Sequence, residues 1–561
     1  MQKIWKIKKP HPDLQLKLSS QLDIHPLISQ LMINRGITAI KEAQDFLRAE
    51  LDSLLDPFKM KDMEKAVERL KRAKHNKEKV LVFSDYDCDG ITACVLLKNI
   101  LTRIGIHTSH YIPHRINEGY GLNDSITSIV KDKKTDLLIS VDCGVTALEE
   151  IEALNKIGCD TIVVDHHQPK REGLPKAVAV LNPKRADCHY PFKELASVGL
   201  VYKLAQALTQ EKLQEDLDLV ALGTIADVMS LNGENRVLVK EGLKEIQSSQ
   251  RPGIKALLEI TKIKDWELTV GLVGFVLGPR INACGRMDSA ERAVELLSTK
   301  DMDKAITLAK ELDKQNRERQ KVQDQVLSEA MNLVEKEVNF KDHNIIVVSK
   351  EGWHPGILGI VASRITEKFY RPTIVISLEN GVGKGSARSI ENFHLFDALT
   401  NCSSLLEEFG GHRHAAGLTI LKSNINQFKK IINDFARLNI LPDDLLPALN
   451  IDCQIPLSTL SVELIRDIEN LAPFGMGNPV PVLCSRNLKL KGEPMLMGRD
   501  TIKFWVTDGK FTAQVVGFGR ADLFSQLSTD KHLDLVYSVS IDEWQDEPQV
   551  QLELKDIKVN D

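Results

Sequence analysis

Three unbroken apolar runs each end in an acidic or imidazole-bearing segment. Val80-Leu81-Val82-Phe83 leads into Asp85-Tyr86-Asp87-Cys88-Asp89-Gly90. Leu137-Leu138-Ile139 leads into Ser140-Val141-Asp142-Cys143-Gly144. Thr161-Ile162-Val163-Val164 leads into Asp165-His166-His167. Runs that are apolar at every position, rather than at every second one, predict strands of a parallel sheet covered on both faces. After Gly90 the run Ile91 to Leu97 has buried-helix character, and Ile106 to Pro113 can form another strand. This alternation, over residues about 77 to 230, predicts an α/β unit. In such a sheet the strand C-termini share one edge, where ligands bind.

Elsewhere the pattern changes three times. Residues 1 to 50 predict short helices, at Pro26 to Asn34 and Thr38 to Leu47, with no recognisable chemistry. Residues 301 to 338 hold neither Gly nor Pro. Ile306, Leu312, Val322, Val326, Met331, Val334 and Val338 recur there at roughly helical spacing among many charges. They predict one helix of ~50 Å bridging two domains. A second α/β unit follows, with strands at Ile345 to Val348 and Thr373 to Ile376. It carries Gly383-Lys384-Gly385-Ser386-Ala387-Arg388-Ser389, read as a Gly-rich loop, and Gly410-Gly411-His412-Arg413-His414-Ala415-Ala416-Gly417. From about residue 446, short strands such as Ile502 to Val506 and Leu533 to Tyr537 predict a small barrel of the oligonucleotide-binding type. The expected fold class is α/β: a parallel-sheet catalytic domain and a second α/β domain joined by a long helix, with a C-terminal β-barrel. The expected boundaries are 1–50, 51–300, 301–343, 344–445 and 446–561.

Composition bounds the partners only loosely. At 561 residues the chain is too long for one core. A net charge of −5 exerts no global pull on nucleic acid, although a basic groove remains compatible with it. Nine Cys without any CxxC or Cys/His zinc spacing point to reduced thiols in the cytoplasm. Cys88 and Cys143 are expected to be small buried fillers, because their hard-oxygen neighbours suit a harder metal. The N-terminus lacks a signal-peptide apolar core, and no stretch reaches the ~20 apolar residues of a membrane helix.

The acidic segments carry the chemistry. Asp87 and Asp89 are two apart, so they would share a face if the strand continued. With Asp142, His166 and the later Asp227 they could bind two divalent ions. Mixed carboxylate and imidazole donors suit Mn²⁺, and Mg²⁺ is also acceptable. Two ions ~3.5–4 Å apart activate a water and stabilise both oxygens of an in-line displacement at phosphorus. An Asp-rich turn by itself is usually a solvated cap. The coincidence of three such segments at successive strand ends decides for a metal site.

Asp-Tyr-Asp-Cys-Asp-Gly, Val-Asp-Cys-Gly, Asp-His-His and Gly223-Thr224-Ile225-Ala226-Asp227 resemble the four motifs of the DHH phosphoesterase superfamily. The Gly410 to Gly417 segment resembles the signature of its associated C-terminal domain. Tyr111 to Gly121, Gly278-Pro279-Arg280-Ile281-Asn282-Ala283-Cys284-Gly285-Arg286, and Leu471 to Pro479 further resemble the RecJ exonucleases, over nearly the whole chain. The resemblance implies a 5′-to-3′ exonuclease on single-stranded DNA that releases mononucleotides in recombination and repair. It implies Asp87, Asp89, Asp142, His166 and Asp227 as metal ligands. His167 would be a weaker ligand or a contact to the scissile phosphate, and Asp165 would orient a histidine. Asp85 is set apart, because the superfamily's ligand pair is the two Asp nearest the Gly.

Arg115, Arg280, Arg286, Ser386, Arg388 and His412 are expected to hold the substrate. Ser386 and Arg388 match the family's pocket for the 5′-terminal phosphate, since Arg binds phosphate bidentately. His414 is either a phosphate contact or structural, and Trp353 is either near the cleft or core. Phe504, Trp505, Phe511 and Phe518 are candidate base stackers in the barrel, at least half of them core by alternation. A monomer acting with a helicase and a single-strand-binding protein is expected. Two rivals remain: a phosphodiesterase of oligoribonucleotides or cyclic dinucleotides in the same superfamily, and a non-catalytic single-strand-binding scaffold. The barrel argues against the first, and the full acidic set argues against the second.

Overall fold

The computed structural model describes residues 3–115, 118–287, 289–543 and 547–560. Ile116 and Asn117, inside the Tyr111 to Gly121 segment, lie outside the described residues. Five strands form the first sheet, in the spatial order Thr108–Tyr111, Val80–Ser84, Leu137–Val141, Asp160–Val164, Ala179–Leu181. Every pairing is parallel. Val80, Val82, Ile139 and Val164 face helices Cys88–Arg103, Ser197–Thr209 and Leu217–Ala226. Leu81, Phe83, Leu138 and Val163 face helices Ile126–Lys133 and Leu148–Lys156. Burial on both faces is the reason these strands read as continuous apolar runs.

The long helix is Met302–Glu337. Asp301 caps it, accepting from the Asp303 and Lys304 amides at 2.9 and 3.3 Å. Its N-terminal half buries Ala305, Leu308 and Leu312 in the first domain's core. Its C-terminal half buries Val326, Ala330 and Val334 in the second domain's core. Between them the buried stripe turns polar, at Asp313, Asn316, Arg319 and Gln323. Ile306, Val322, Met331 and Val338, included in the apolar stripe read from the sequence, are only half-buried.

The second sheet runs Leu406–Gly411, Ala415–Leu421, Val382–Arg388, Thr373–Glu379, Ile346–Glu351. Two segments differ from the sequence reading. The Gly-rich stretch at 383–388 is a central strand, not a loop. A Cβ on Gly385 would lie 2.9 Å from Leu418 Cγ and 3.2 Å from Ile376 Cγ1, so Gly there admits the neighbouring strands' side chains. Arg280 and Arg286 do not flank a turn. They lie on helix Gly278–Met287, which continues without a break from Val270–Leu272 through the π-helical turn Val273–Leu277, and Pro279 follows that turn directly.

Five strands, Leu483–Met497, Thr501–Thr507, Thr512–Gly517, His532–Asp542 and Gln549–Asn560, close into a barrel. Leu483–Met497 pairs with both Thr501–Thr507 and His532–Asp542, and register shifts bend it around the corner. The N-terminal helices do not stand apart. Leu27, Leu31 and Phe46 share one core with Leu483, Phe504 and Tyr537 of the barrel. Ile4–Ile7 pairs in parallel with Ala448–Ile451.

Candidate active site

Ser84 pairs with Val141, and Val141 with Val164, so three strands end in register. The residues that follow converge on one edge. Asp87 and Asp89 are not on an extended strand, as the same-face argument assumed. The strand stops at Ser84, Asp87 caps helix Cys88–Arg103, and Asp89 lies in its first turn. One Asp87 oxygen accepts from the Asp89 and Gly90 amides at 2.9 and 3.1 Å. Asp89 is held by the start of helix Ser197–Thr209, whose Ser197 and Val198 amides donate to its two oxygens at 2.7 and 2.8 Å. Asp227 caps the C-terminus of helix Leu217–Ala226.

Asp142 has φ 61°, and Val228, beside Asp227, has φ 54°. Left-handed backbone is uncommon for Asp and a true outlier for a β-branched residue. Strain of this kind gathers where side chains must be aimed. The Ser197 hydroxyl donates to Asp142 Oδ1 at 2.8 Å. His166 Nε2 stands 3.4 Å from Asp142 Oδ1 and 3.5 Å from Asp227 Oδ2. Asp165 accepts from the Val145 and His167 amides at 2.9 and 3.0 Å and pairs with His167 Nδ1 at 2.8 Å. Tyr120 donates to the Asp142 carbonyl at 2.9 Å and lies 3.2 Å from His167 Nδ1.

Three overlapping groups could each hold a metal ion: Asp142, His166 and His167; Asp89, His166 and Asp227; Asp85, Asp87 and Asp142. Within each, the donor atoms lie within 4.8 Å of one another. All five residues expected as ligands fall in these groups, and Asp85 and His167 join them. Burial, reinforced by the neighbouring carboxylates, pushes Asp85, Asp89, Asp142 and Asp227 above the usual range. Burial and the His167 charge press His166 down to about 3. Burial also opposes a charged His167, but the Asp165 hydrogen bond and charge outweigh it and hold His167 at about 9. Burial would raise Asp165, yet His167 keeps it below the ordinary value. That pair is internally neutral, and the remaining carboxylates are not. Among the described residues, buried Asp85 Oδ1 and His166 Nδ1 have no hydrogen-bond partner. Hard oxygen and imidazole donors with excess negative charge fit one or two divalent cations.

A basic rim drawn from both domains lies beside the cluster. Arg115 lies 5.0 Å over the Tyr86 ring. Arg286 donates to the Gly356 carbonyl at 3.2 Å. Burial and the charges of Arg115, Arg319 and Arg388 lower Arg286 to about 10, against an opposing pull from Asp87. Arg388 donates to the Ala387 carbonyl at 2.8 Å and sits 3.4 Å from Ser386 Oγ. Both lie against Gly359 near the start of helix Leu358–Phe369, where a Cβ would be 2.9 Å from Arg388 Nη2 and 3.1 Å from Ser386 Oγ. Guanidiniums crowded beside a helix N-terminus form a site for an anion. Arg280 is instead tied to the long helix through Asp313 at 2.9 and 3.0 Å, and donates back to the Val276 carbonyl of the preceding turn at 2.6 Å. His412 is exposed at the tip of the hairpin after Gly411. Trp353 is core, with its indole donating to Glu329 at 2.9 Å. Cys88 and Cys143 are buried.

Sequence reasoning passed over Ser197, Tyr120, Asn282 and Arg319. Asn282 accepts from the Cys88 amide at 2.8 Å, fixing the helix that carries Asp89. Tyr120 and Asn282 sit inside quoted motifs. Arg319 gave no signal, since on a charged helix it looks like one more solvated cation.

Comparison with known proteins agrees with this geometry. The DHH family N-terminal domain matches residues 79–224, the DHHA1 domain residues 342–438 and the RecJ OB domain residues 451–556. The single-stranded-DNA-specific exonuclease RecJ of Bacillus subtilis is 37% identical over 560 residues, covering 99% of this chain and 71% of that protein. The crystal structure of Thermus thermophilus RecJ with Mn²⁺ superposes with a TM-score of 0.85 at 27% identity, covering 99% of this chain and 79% of that one. The Mg²⁺ complex of the same protein gives 0.79 at 25% identity, covering 99% and 78%. With its three matched domains and the metal-ready cluster at the sheet edge, the chain belongs to the RecJ family of DHH proteins.

Proposed function

We propose that the protein is a metal-dependent exonuclease that hydrolyses single-stranded DNA from its 5′ end and releases mononucleotides. One observation carries this reading: the buried acidic cluster lies beside a basic pocket in which Arg115 and Arg286 of its own domain meet Ser386 and Arg388 of the second domain. The cluster suits phosphodiester chemistry, and the pocket suits a terminal phosphate.

Asp87, Asp89, Asp142, His166 and Asp227 would hold the ions, with Asp85 and His167 completing the two ends of the cluster. Mn²⁺ or Mg²⁺ bound there supplies charge neutralisation at phosphorus and a water acidic enough to attack near neutral pH. The chain's own residues set the geometry. Ser197 and Val198 fix Asp89, and Ser197 fixes Asp142. Asp165 orients His167, as a weaker ligand or as a contact to the scissile phosphate. Ser386 and Arg388 bind the 5′ phosphate, with Arg115 and Arg286 beside them. Arg280 braces the helix that carries Arg286, and His412 reaches the strand from the hairpin. The barrel holds the remaining strand through its exposed face.

Among the described residues no helix is long and apolar enough to cross a membrane. We place this activity in a cytoplasmic monomer that works with a helicase and a single-strand-binding protein. A cyclic-dinucleotide or short-oligoribonucleotide hydrolase has no use for the barrel, and a scaffold has no use for a complete acidic set. Release of labelled mononucleotide from 5′-labelled single strands with Mn²⁺, abolished by chelation, tests the reading. Absence of release from any single strand would refute it.

A further inference from the structure

The five-stranded sheet places a cation beyond each of its two edges. Arg115 follows the edge strand Thr108–Tyr111, and Lys184 follows the opposite edge strand Ala179–Leu181. The acidic cluster follows the three strands between, joined by Asp227 from the end of helix Leu217–Ala226. Strands spaced ~4.8 Å apart separate the two edges by roughly 19 Å.

Lys184 is positioned by the cluster's own neighbours. Asn182 is fully buried. It donates to the His167 carbonyl at 2.8 Å and accepts from the Lys184 amide at 2.7 Å. The turn bearing His166 and His167 is thereby tied to the turn bearing Lys184. The Lys184 charge is felt at both His166 and Asp227. Arg115, in contrast, is felt at Asp85 and Tyr86. Lys184 enters no ion pair among the described residues and is half-exposed. Each flank of the cluster therefore has its own cation.

We propose that Lys184 binds the backbone phosphate immediately 3′ of the scissile one, on the flank opposite the Arg388 pocket. The inference rests on the exonuclease reading above. A strand anchored by its 5′ phosphate near Arg388 and Arg115 crosses the cluster and leaves towards His166 and Asp227. The next phosphate then meets Lys184, which holds the strand straight across the site. Lys184 is a substrate-positioning residue in this account and takes no part in proton transfer.

A cycle of one substitution and one substrate change tests it. Lys184→Met is compared with the unmodified protein on two strands, one all-phosphodiester and one carrying a neutral methylphosphonate 3′ of the first scissile bond. Lys184→Met should lose about 10-fold in kcat/KM for the first cleavage of the normal strand, the scale of one charge-assisted contact, and little on the methylphosphonate strand. Lys184→Arg should restore most of the loss. Equal losses on both strands, or no loss on either, overturn the proposal. Binding of both strands in EDTA is read in parallel. The slope of log affinity against log salt should fall by about 1 for Lys184→Met on the normal strand only. If the unmodified protein releases no nucleotide, the exonuclease reading fails. The binding arm then still decides whether Lys184 meets that phosphate, and an unchanged slope rejects it.

Discussion

The Arg236 guanidinium lies 3.8 Å over the Phe46 ring and donates to the Phe46 and Leu471 carbonyls, each at 2.8 Å. One buried side chain of the first domain thus grips both the N-terminal helices and the lead into the barrel. The turn that follows reinforces the joint. The Leu231 amide donates to the Met476 carbonyl at 2.7 Å. Arg35 donates to buried Asn478 at 2.5 Å. The segment leading into the barrel therefore abuts the loop that starts at Asp227.

Removing Arg236 leaves two buried carbonyls without their donors and a void beside Phe46. Arg236→Ala should lower the unfolding free energy by ~3 kcal/mol or more. Arg236→Lys should recover little of this, because an ammonium can neither stack flat on the ring nor span both carbonyls. Denaturant unfolding measures it, and an unchanged midpoint for Arg236→Ala would show that the joint does not depend on this residue.

Asp142 belongs to two of the three candidate metal groups. Asp142→Ala should reduce nuclease activity at least ~1000-fold, the several kcal/mol of transition-state stabilisation supplied by correctly held ions. The fold should persist, since one repelling charge leaves a crowded acidic site. Mn²⁺ should raise the melting temperature of the unmodified protein, because the folded form alone presents the site. The variant should lose most of that rise. Near-normal turnover, or an undiminished Mn²⁺ shift, contradicts the assignment.

The barrel's candidate stackers separate by exposure. Phe504 is fully buried, whereas Phe518 is 65% exposed just after the strand Thr512–Gly517. Phe518→Ala should weaken single-strand binding in EDTA by about 10-fold, within the ~1–3 kcal/mol of a base–aromatic stack. Its melting temperature should not move. Deleting the whole barrel is a poorer experiment, because Leu27, Leu31 and Phe46 would lose their core.

How far these features could be read from the chain depends on the range of the forces that set them. The acidic strand ends were legible because a strand buried on both faces writes itself as an unbroken run, and Asp142 or His166 stands directly after it. Ser386 and Arg388 were found through the motif but placed in a loop. Gly383 and Gly385 suggest a loop, whereas they answer to Ile376 and Leu418 on neighbouring strands. Helix Gly278–Met287 was hidden in the same way by its own Gly and Pro. The union of Phe46 with Phe504 has no local signature at all, since the partners meet only in the folded chain. Arg319 shows the same limit: its burial and its charge beside Arg286 exist only once Met302–Glu337 has spanned both domains.

Polarity requires recognition of a terminus at a fixed distance from the cluster. Ser386 and Arg388 stand on one face of a rigid central strand, two positions apart, against the start of helix Leu358–Phe369. A hydroxyl, helix amides and a guanidinium there favour the charge of a terminal monophosphate over an internal diester. Arg388 is itself depressed by burial and by the nearby Arg115 charge, so a bound dianion relieves both costs. Arg388→Ala should slow digestion of 5′-phosphorylated strands by roughly 10- to 100-fold, the ~1.5–3 kcal/mol of a charge-assisted hydrogen bond. The same strand with a 5′ hydroxyl should lose far less, because it never filled the pocket. Rates on the two strands, measured side by side with saturating Mn²⁺, decide the matter. Equal losses would take the terminal phosphate away from this strand and give it to Arg115 and Arg286.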